Sequence, residues 1–240
     1  IDNIGGWHLL VAIADVAWYV QPGEPLDQDA RRRGNSVYFP DRVVPMLPER
    51  LSNDLCSLKP AENRPCLAVH IWIDCNGKLD RHKFVRGIMR SAARLTYEQV
   101  QSAWDGNPDS ETKCLLKTVI SPLYGAFRAL LSARKKRGAL ELEIPERSIE
   151  LADDGTVIAI REQKRLDSHR IIEEFMVTAN VAAAETLEKL HQPCIYRVHD
   201  RPSNEKANAL NQFLRTLDLQ FAKGQVIQSK LFNRILDKVT

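Results

Sequence analysis

Residues 36–58 read SVYFPDRVVPMLPERLSNDLCSL, and the shape of this stretch decides what the rest of the chain is built to support. Pro40, Pro45 and Pro48 fall within nine positions, and each fixes its own φ and removes an amide donor. Each also pushes the residue before it toward extended geometry. The spacing argues against a regular helix between Phe39 and Pro48, and a central strand there would lose ladder bonds. The segment is nonetheless apolar, with Val37, Tyr38, Phe39, Val43, Val44, Met46, Leu47, Leu51 and Leu55. Such a stiffened loop either presents a side chain, Tyr38 being the obvious one, or simply caps a core.

Working outward, His8–Val16 (HLLVAIADV) is a short continuous apolar run, the pattern of a strand covered on both faces. Leu26–Arg33 has the composition of a short helix ending at Gly34. Beyond the proline segment, Leu67, Val69, Ile71 and Ile73 alternate with Ala68, His70 and Trp72. Asn76-Gly77 then predicts a hairpin turn, with Lys83–Arg90 as the returning strand. Thr96-Tyr97-Glu98-Gln99 fits a capping box and opens a helix running to about Trp104, with Tyr97 in its first turn. A helical pattern covers Glu111–Lys136, with Pro122 marking a kink or a start, and Asp153-Asp154-Gly155 predicts a second hairpin.

His169–His191 is the clearest helix. Ile172, Phe175, Met176, Ala179, Ala183, Thr186, Leu187 and Leu190 form a stripe at about 100° per residue, and alanines allow close approach to a neighbour. On that wheel Glu174 points away into solvent. Glu173 lies at the rim, near His169, where it can look into a cavity. Cys194–His199 reads as a strand and Asn204–Leu217 as an amphipathic helix. Irregular alternation of strands and helices predicts an α+β, or mixed α/β, domain in which a mixed sheet packs with helices.

Composition narrows the function classes. At 44% apolar and 27% charged, 240 residues make one larger domain or two small ones, with enough chain for a substantial core. A net charge of +3 permits nucleic acid as a partner without arguing for it. The clusters Arg31-Arg32-Arg33 and Arg134-Lys135-Lys136-Arg137 are each expected on a solvated face. Five scattered cysteines without a C-x-x-C pair imply reduced thiols in a cytoplasmic protein, with neither a disulfide framework nor a zinc site. No apolar run approaches a membrane span.

Five blocks in order carry a family resemblance: WHLLVAIADVAWYVQPGEPLDQDARRRGNSVYFPDRVVPMLPERLSNDLCSL (7–58), SAARLTYEQV (91–100), RKKRGALELEIPE (134–146), RIIEEFMVTANVAAAETL (170–187) and IYRVHDRPS (195–203). Together they resemble the catalytic RNB domain of the ribonuclease II and ribonuclease R family of 3′→5′ exoribonucleases. The resemblance implies processive hydrolysis of single-stranded RNA to nucleoside 5′-monophosphates with Mg2+ or Mn2+ held by clustered carboxylates. It implies that Tyr38 stacks on bases near the 3′ end, and that Tyr97 and Glu173 contact the terminal nucleotide and help select ribose. Leu142 falls about where some relatives carry a second stacking phenylalanine, a departure that leaves a two-sided aromatic clamp in doubt.

The resemblance also implies what residues 1–240 lack. The family's metal-binding aspartate run lies upstream of the first strand, Asp2 is not one of its ligands, and an arginine segment lies downstream. The chain is therefore expected to be the central part of such a domain, inactive alone and without bound metal, and no obligate protein partner is inferred. Two further readings stay open. One is a non-catalytic module that binds RNA 3′ ends, and the other is a domain that docks other subunits through its basic clusters.

Overall fold

In the computed structural model, residues 5–140, 144–198, 200, 202–219 and 229–239 are described. The order begins β1 (Trp7–Ala14), α1 (Val16–Tyr19), α2 (Pro25–Arg33), β2 (Val37–Tyr38), β3 (Val43–Val44) and a π-helical turn over Arg50–Leu55. There follow β4 (Asn63–Ile73), β5 (Leu79–Arg90), α3 (Tyr97–Trp104), α4 (Ser110–Leu115), a second π-helical turn (Leu116–Ile120) and α5 (Ser121–Arg137). The remainder is β6 (Glu146–Leu151), β7 (Val157–Gln163), α6 (Asp167–Lys189), α7 (Asn204–Arg215) and α8 (Ser229–Val239).

The alternation of β4 places the core. Its residues Val69, Ile71 and Ile73 are buried beneath α5 and α6, where they meet Leu9, Ile120, Tyr124, Phe127, Leu130, Ile171 and Phe175. The buried small residues Ala179 and Ala182 let α6 come close to its neighbours. The predicted turn closes the β4–β5 hairpin, with Asp74 Oδ1 accepting from the amides of Asn76 (2.8 Å) and Lys78 (2.9 Å). Gly77 has φ +77°, and a Cβ there would lie 2.2 Å from the Ala129 carbonyl oxygen. Only glycine lets this turn press against α5.

The α+β class holds, and among the described residues the named strands pair antiparallel rather than as a mixed sheet. One sheet has the order β1-β4-β5, while β2–β3 and β6–β7 are separate two-stranded ribbons. An isolated bridge between Pro60 and Ser91 is parallel. As expected, the proline segment forms no regular helix between Phe39 and Pro48; it folds into the short β2–β3 ribbon before the π-helical turn.

Four expectations are corrected. β1 is an edge strand rather than one covered on both faces, and Leu10 and Ile13 are exposed. Leu10 shares the outward face, where His8 stacks on Trp72 at 4.5 Å, Arg81 lies over the same indole and His70 adjoins His8, whereas Ile13 is on the opposite face near the end of the strand. Residues 194–198 form no strand and Ile195 is fully exposed, because nothing among the described residues pairs with them; His199 lies outside the described residues. The run Ser110–Arg137 is long and apolar enough to cross a membrane, but Tyr124, Ala126, Phe127 and Leu130 use its apolar face to build the core.

The fourth correction concerns α6. Its buried stripe is Ser168, Ile171, Glu174, Phe175, Ala179 and Ala182, not the set centred on Ile172 and Met176. Glu174 is only 6% exposed and accepts from Arg134 Nη1 at 3.1 Å. Arg134 is thereby drawn out of the solvated basic cluster. Ile172 and Met176 instead line a shallow apolar groove of about 490 Å³ beside β1.

A second ion pair ties the sheet together. The Asp15 carboxylate, buried at the end of β1, accepts from Arg86 Nε at 2.9 Å and Nη2 at 3.2 Å. The Asp15 amide donates to the Pro65 carbonyl at 3.1 Å. Arg86 is half exposed, so the two partners are unequal. Arg86→Met strands a buried carboxylate and is expected to cost about 2–4 kcal/mol in urea unfolding. Asp15→Asn, which leaves a solvated guanidinium, costs less.

Tyr124 gives a pH signature. Burial pushes its phenol from the ordinary 10.0 up to about 12, with Asp167 and Asp105 adding to the shift. A raised folded pKa means that the contribution is full below pH 10 and is lost as pH rises through the folded value. Stability is therefore expected to fall between about pH 10 and 12, and Tyr124→Phe should remove this residue's share of the loss in alkaline denaturation.

Candidate nucleic-acid interface

The start of α6 is held from three sides. The Gln101 carbonyl oxygen on α3 accepts from the Tyr124 hydroxyl (3.0 Å) and from the Ser168 amide (3.2 Å), so one side chain joins α3, α5 and α6. The Gln101 amide donates to Asp105 at 3.1 Å, which fixes its orientation. The capping box is formed as predicted: Thr96 Oγ1 accepts from the Gln99 amide and the Thr96 amide donates to Gln99 Oε1. The cap sets where α3 begins and therefore where Tyr97 stands.

From that first turn the Tyr97 ring lies on the His169 imidazole, with centroids 4.1 Å apart and planes inclined by 24°. His169 occupies the third position of α6 and reaches back, its Nδ1 accepting from the Leu166 amide at 3.2 Å. This is the role that glutamate or glutamine plays in a capping box. Glu173, one turn on, is exposed and paired with Arg165 Nη2.

His169, Glu173 and Arg165 line a cleft of about 760 Å³ between α6 and the β6–β7 ribbon. Ile144, Pro145 and Glu146 form one side, and Glu162, Gln163, Lys164 and Leu166 contribute the rest. The cleft thus mixes three carboxylates with two cations and an imidazole. It offers acceptors for hydroxyl groups and cations for phosphates.

Glu173 and His169 therefore share one wall, and Tyr97 adjoins it through its stack on His169 without lining the cleft itself. Tyr38 does not join them there: it sits on the β2–β3 ribbon, 77% exposed, beside the Phe39 ring covered by Arg42. Leu142 lies outside the described residues. Gln101, Arg165 and the capping role of His169 were not singled out by sequence reasoning. A glutamine inside an amphipathic helix and a histidine three residues after a helix start were the available signals. Among the described residues no group of three or more His, Cys, Asp or Glu side chains is placed to hold a metal ion. Asp15 is committed to Arg86. The described residues do not make a metal site.

The comparisons with known proteins agree with this architecture. Ribonuclease R of Mycoplasma genitalium, solved in complex with ribose-methylated single-stranded RNA, superposes with a TM-score of 0.90 at 30% identity, over 97% of this chain and 37% of that one. Residues 1–239 match the RNB domain model, and the chain belongs to the RNB domain family. Ribonuclease R of Escherichia coli is 39% identical over 236 residues, which are 98% of this chain and 29% of that protein. Ribonuclease R of Vibrio cholerae is 42% identical over 223 residues, 92% of this chain and 27% of that protein. The chain thus spans less than a third of the length of these curated relatives.

The three-way junction at Gln101 is open to test. Gln101→Ala leaves the Tyr124 hydroxyl and the Ser168 amide without their acceptor, and each such loss costs about 1–3 kcal/mol. The variant is expected to be less stable by about 2–4 kcal/mol in chemical denaturation. Gln101→Glu keeps the acceptor oxygen but sets a second carboxylate against Asp105, and should recover only part of that loss.

Proposed function

We propose that the polypeptide carrying this chain degrades single-stranded RNA processively from its 3′ end to nucleoside 5′-monophosphates, and that the cleft beside α6 receives the terminal nucleotide. One observation carries the reading: an imidazole and a carboxylate line one wall with Lys164 and Arg165, and the imidazole is backed by the stacked Tyr97 ring. A ring face suits a base, a carboxylate suits a ribose hydroxyl and cations suit phosphates. Family membership and a relative solved with RNA support it. Tyr38 is assigned to stacking on bases farther from the end, where an exposed ring on a stiffened ribbon suits an unpaired strand. Leu142 is assigned a neighbouring contact on the strength of the resemblance.

The requirement for magnesium or manganese also rests on the resemblance, because the described residues form no site for it. The chain is accordingly proposed to be the central part of its catalytic domain, and not to cleave alone. Five free cysteines suit a reducing cytoplasm.

The test uses a 5′-labelled single-stranded oligoribonucleotide and the intact polypeptide. Expected are shortening from the 3′ end, release of nucleoside 5′-monophosphates and complete inhibition by excess EDTA. Internal cleavage, or undiminished degradation in EDTA, overturns the proposal. Tight binding without degradation replaces it with the reading of an RNA 3′-end-binding module. Tyr38→Ala should change the length of the limit product while the metal requirement stays intact.

A further inference from the structure

We propose that His169 is the hydrogen-bond donor which, with Glu173 as acceptor, reads the 2′-hydroxyl of the terminal ribose; this rests on the RNA reading above. A ribose 2′-hydroxyl both donates and accepts. An ionised carboxylate only accepts, so Glu173 satisfies half of that capacity. Arg165 engages one carboxylate oxygen of Glu173, Oε2, and Oε1 has lone pairs to offer.

His169 has the geometry for the other half. Its Nδ1 is held as an acceptor by the Leu166 amide at 3.2 Å, so the neutral ring carries its proton on Nε2. The Tyr97 ring, stacked at 4.1 Å, fixes the plane in which that N–H lies. Both His169 and Glu173 line the cleft. Their spacing of four residues puts them on one face of α6, one turn apart. The hydroxyl then donates to Glu173 and accepts from His169 Nε2–H. A deoxyribose end leaves both protein groups without that partner, which is how a polar site rejects an analogue lacking one hydroxyl.

His169 also caps α6, and a purely structural role must be separated from a reading role. His169→Glu keeps a capping acceptor but has no donor, whereas His169→Gln keeps an acceptor and a donor. The experiment measures equilibrium binding of the intact polypeptide that carries this chain, in excess EDTA, to one oligoribonucleotide ending in ribose and to the same sequence ending in 2′-deoxyribose. In parallel, imidazole nitrogen chemical shifts report the tautomer of His169 in the RNA-free chain.

The unmodified chain is expected to prefer the ribose end. His169→Glu should reduce that preference about tenfold, the worth of one hydrogen bond, and His169→Gln should keep it within about twofold. The shifts should show Nε2–H. Retained preference in His169→Glu, equal weakening toward both ends, or an Nδ1–H tautomer overturns the assignment. An unmodified chain that binds both ends equally well removes the ribose reader but leaves RNA binding standing. An intact polypeptide that binds neither end sinks the RNA reading and this inference with it.

Discussion

The rotation of α6 about its own axis depends on one buried charge. Glu174 can lie beneath the helix only because Arg134 reaches it from α5. A carboxylate so placed without a partner would be costly, and removing either member would leave the other stranded. Burying Glu174 turns its neighbour Glu173 by about 100° to the outside, where it faces the cleft. The same guanidinium approaches the Leu140 carbonyl at 3.5 Å, next to the stretch that leads into Ile144 and Pro145 of the cleft. A single arginine therefore bears on both the helix that forms one wall and the chain that enters the other.

The pair is better regarded as setting orientation than as supplying stability. Buried ion pairs often break even against apolar substitutes of the same size. The apolar pattern of α6 would have allowed a different seating, with Ile172 and Met176 inward. The pairing of Glu174 excludes it, and the two displaced apolar side chains open onto the groove beside β1.

Most of the fold was legible because its signals are local. The alternation of β4, the Asn76-Gly77 turn, the capping box at Thr96 and the extents of α3 and α6 each depend on residues within a few positions of one another. The failures share a different cause. The rotation of α6 was misread because its decisive partner lies 40 residues away on another helix. β1 was read as doubly covered because an apolar run says nothing of Trp72 and Arg81 across the sheet. Residues 194–198 have the composition of a strand, but a strand needs a neighbour. For the site, the pairing of Tyr97 with Glu173 was expected from the family resemblance and not from periodicity. Gln101, which joins their helices, acts through contacts that sequence spacing does not reveal.

The two walls of the cleft are built to different standards of stiffness. α6 rests on a sheet, a second helix and a buried ion pair, whereas β6 and β7 form an isolated ribbon with Val157, Ile158 and Ile160 exposed. A lone two-stranded ribbon is marginally stable in water. Opening it locally costs less free energy than lifting the helix. The cleft is thus a rigid anvil facing a compliant jaw: the anvil keeps its imidazole and carboxylate in register, while the jaw can yield to the bulk of an occupant. For the terminal nucleotide proposed to lie there, such an asymmetry would let one passage admit purines and pyrimidines alike without loosening the proposed contacts to the sugar.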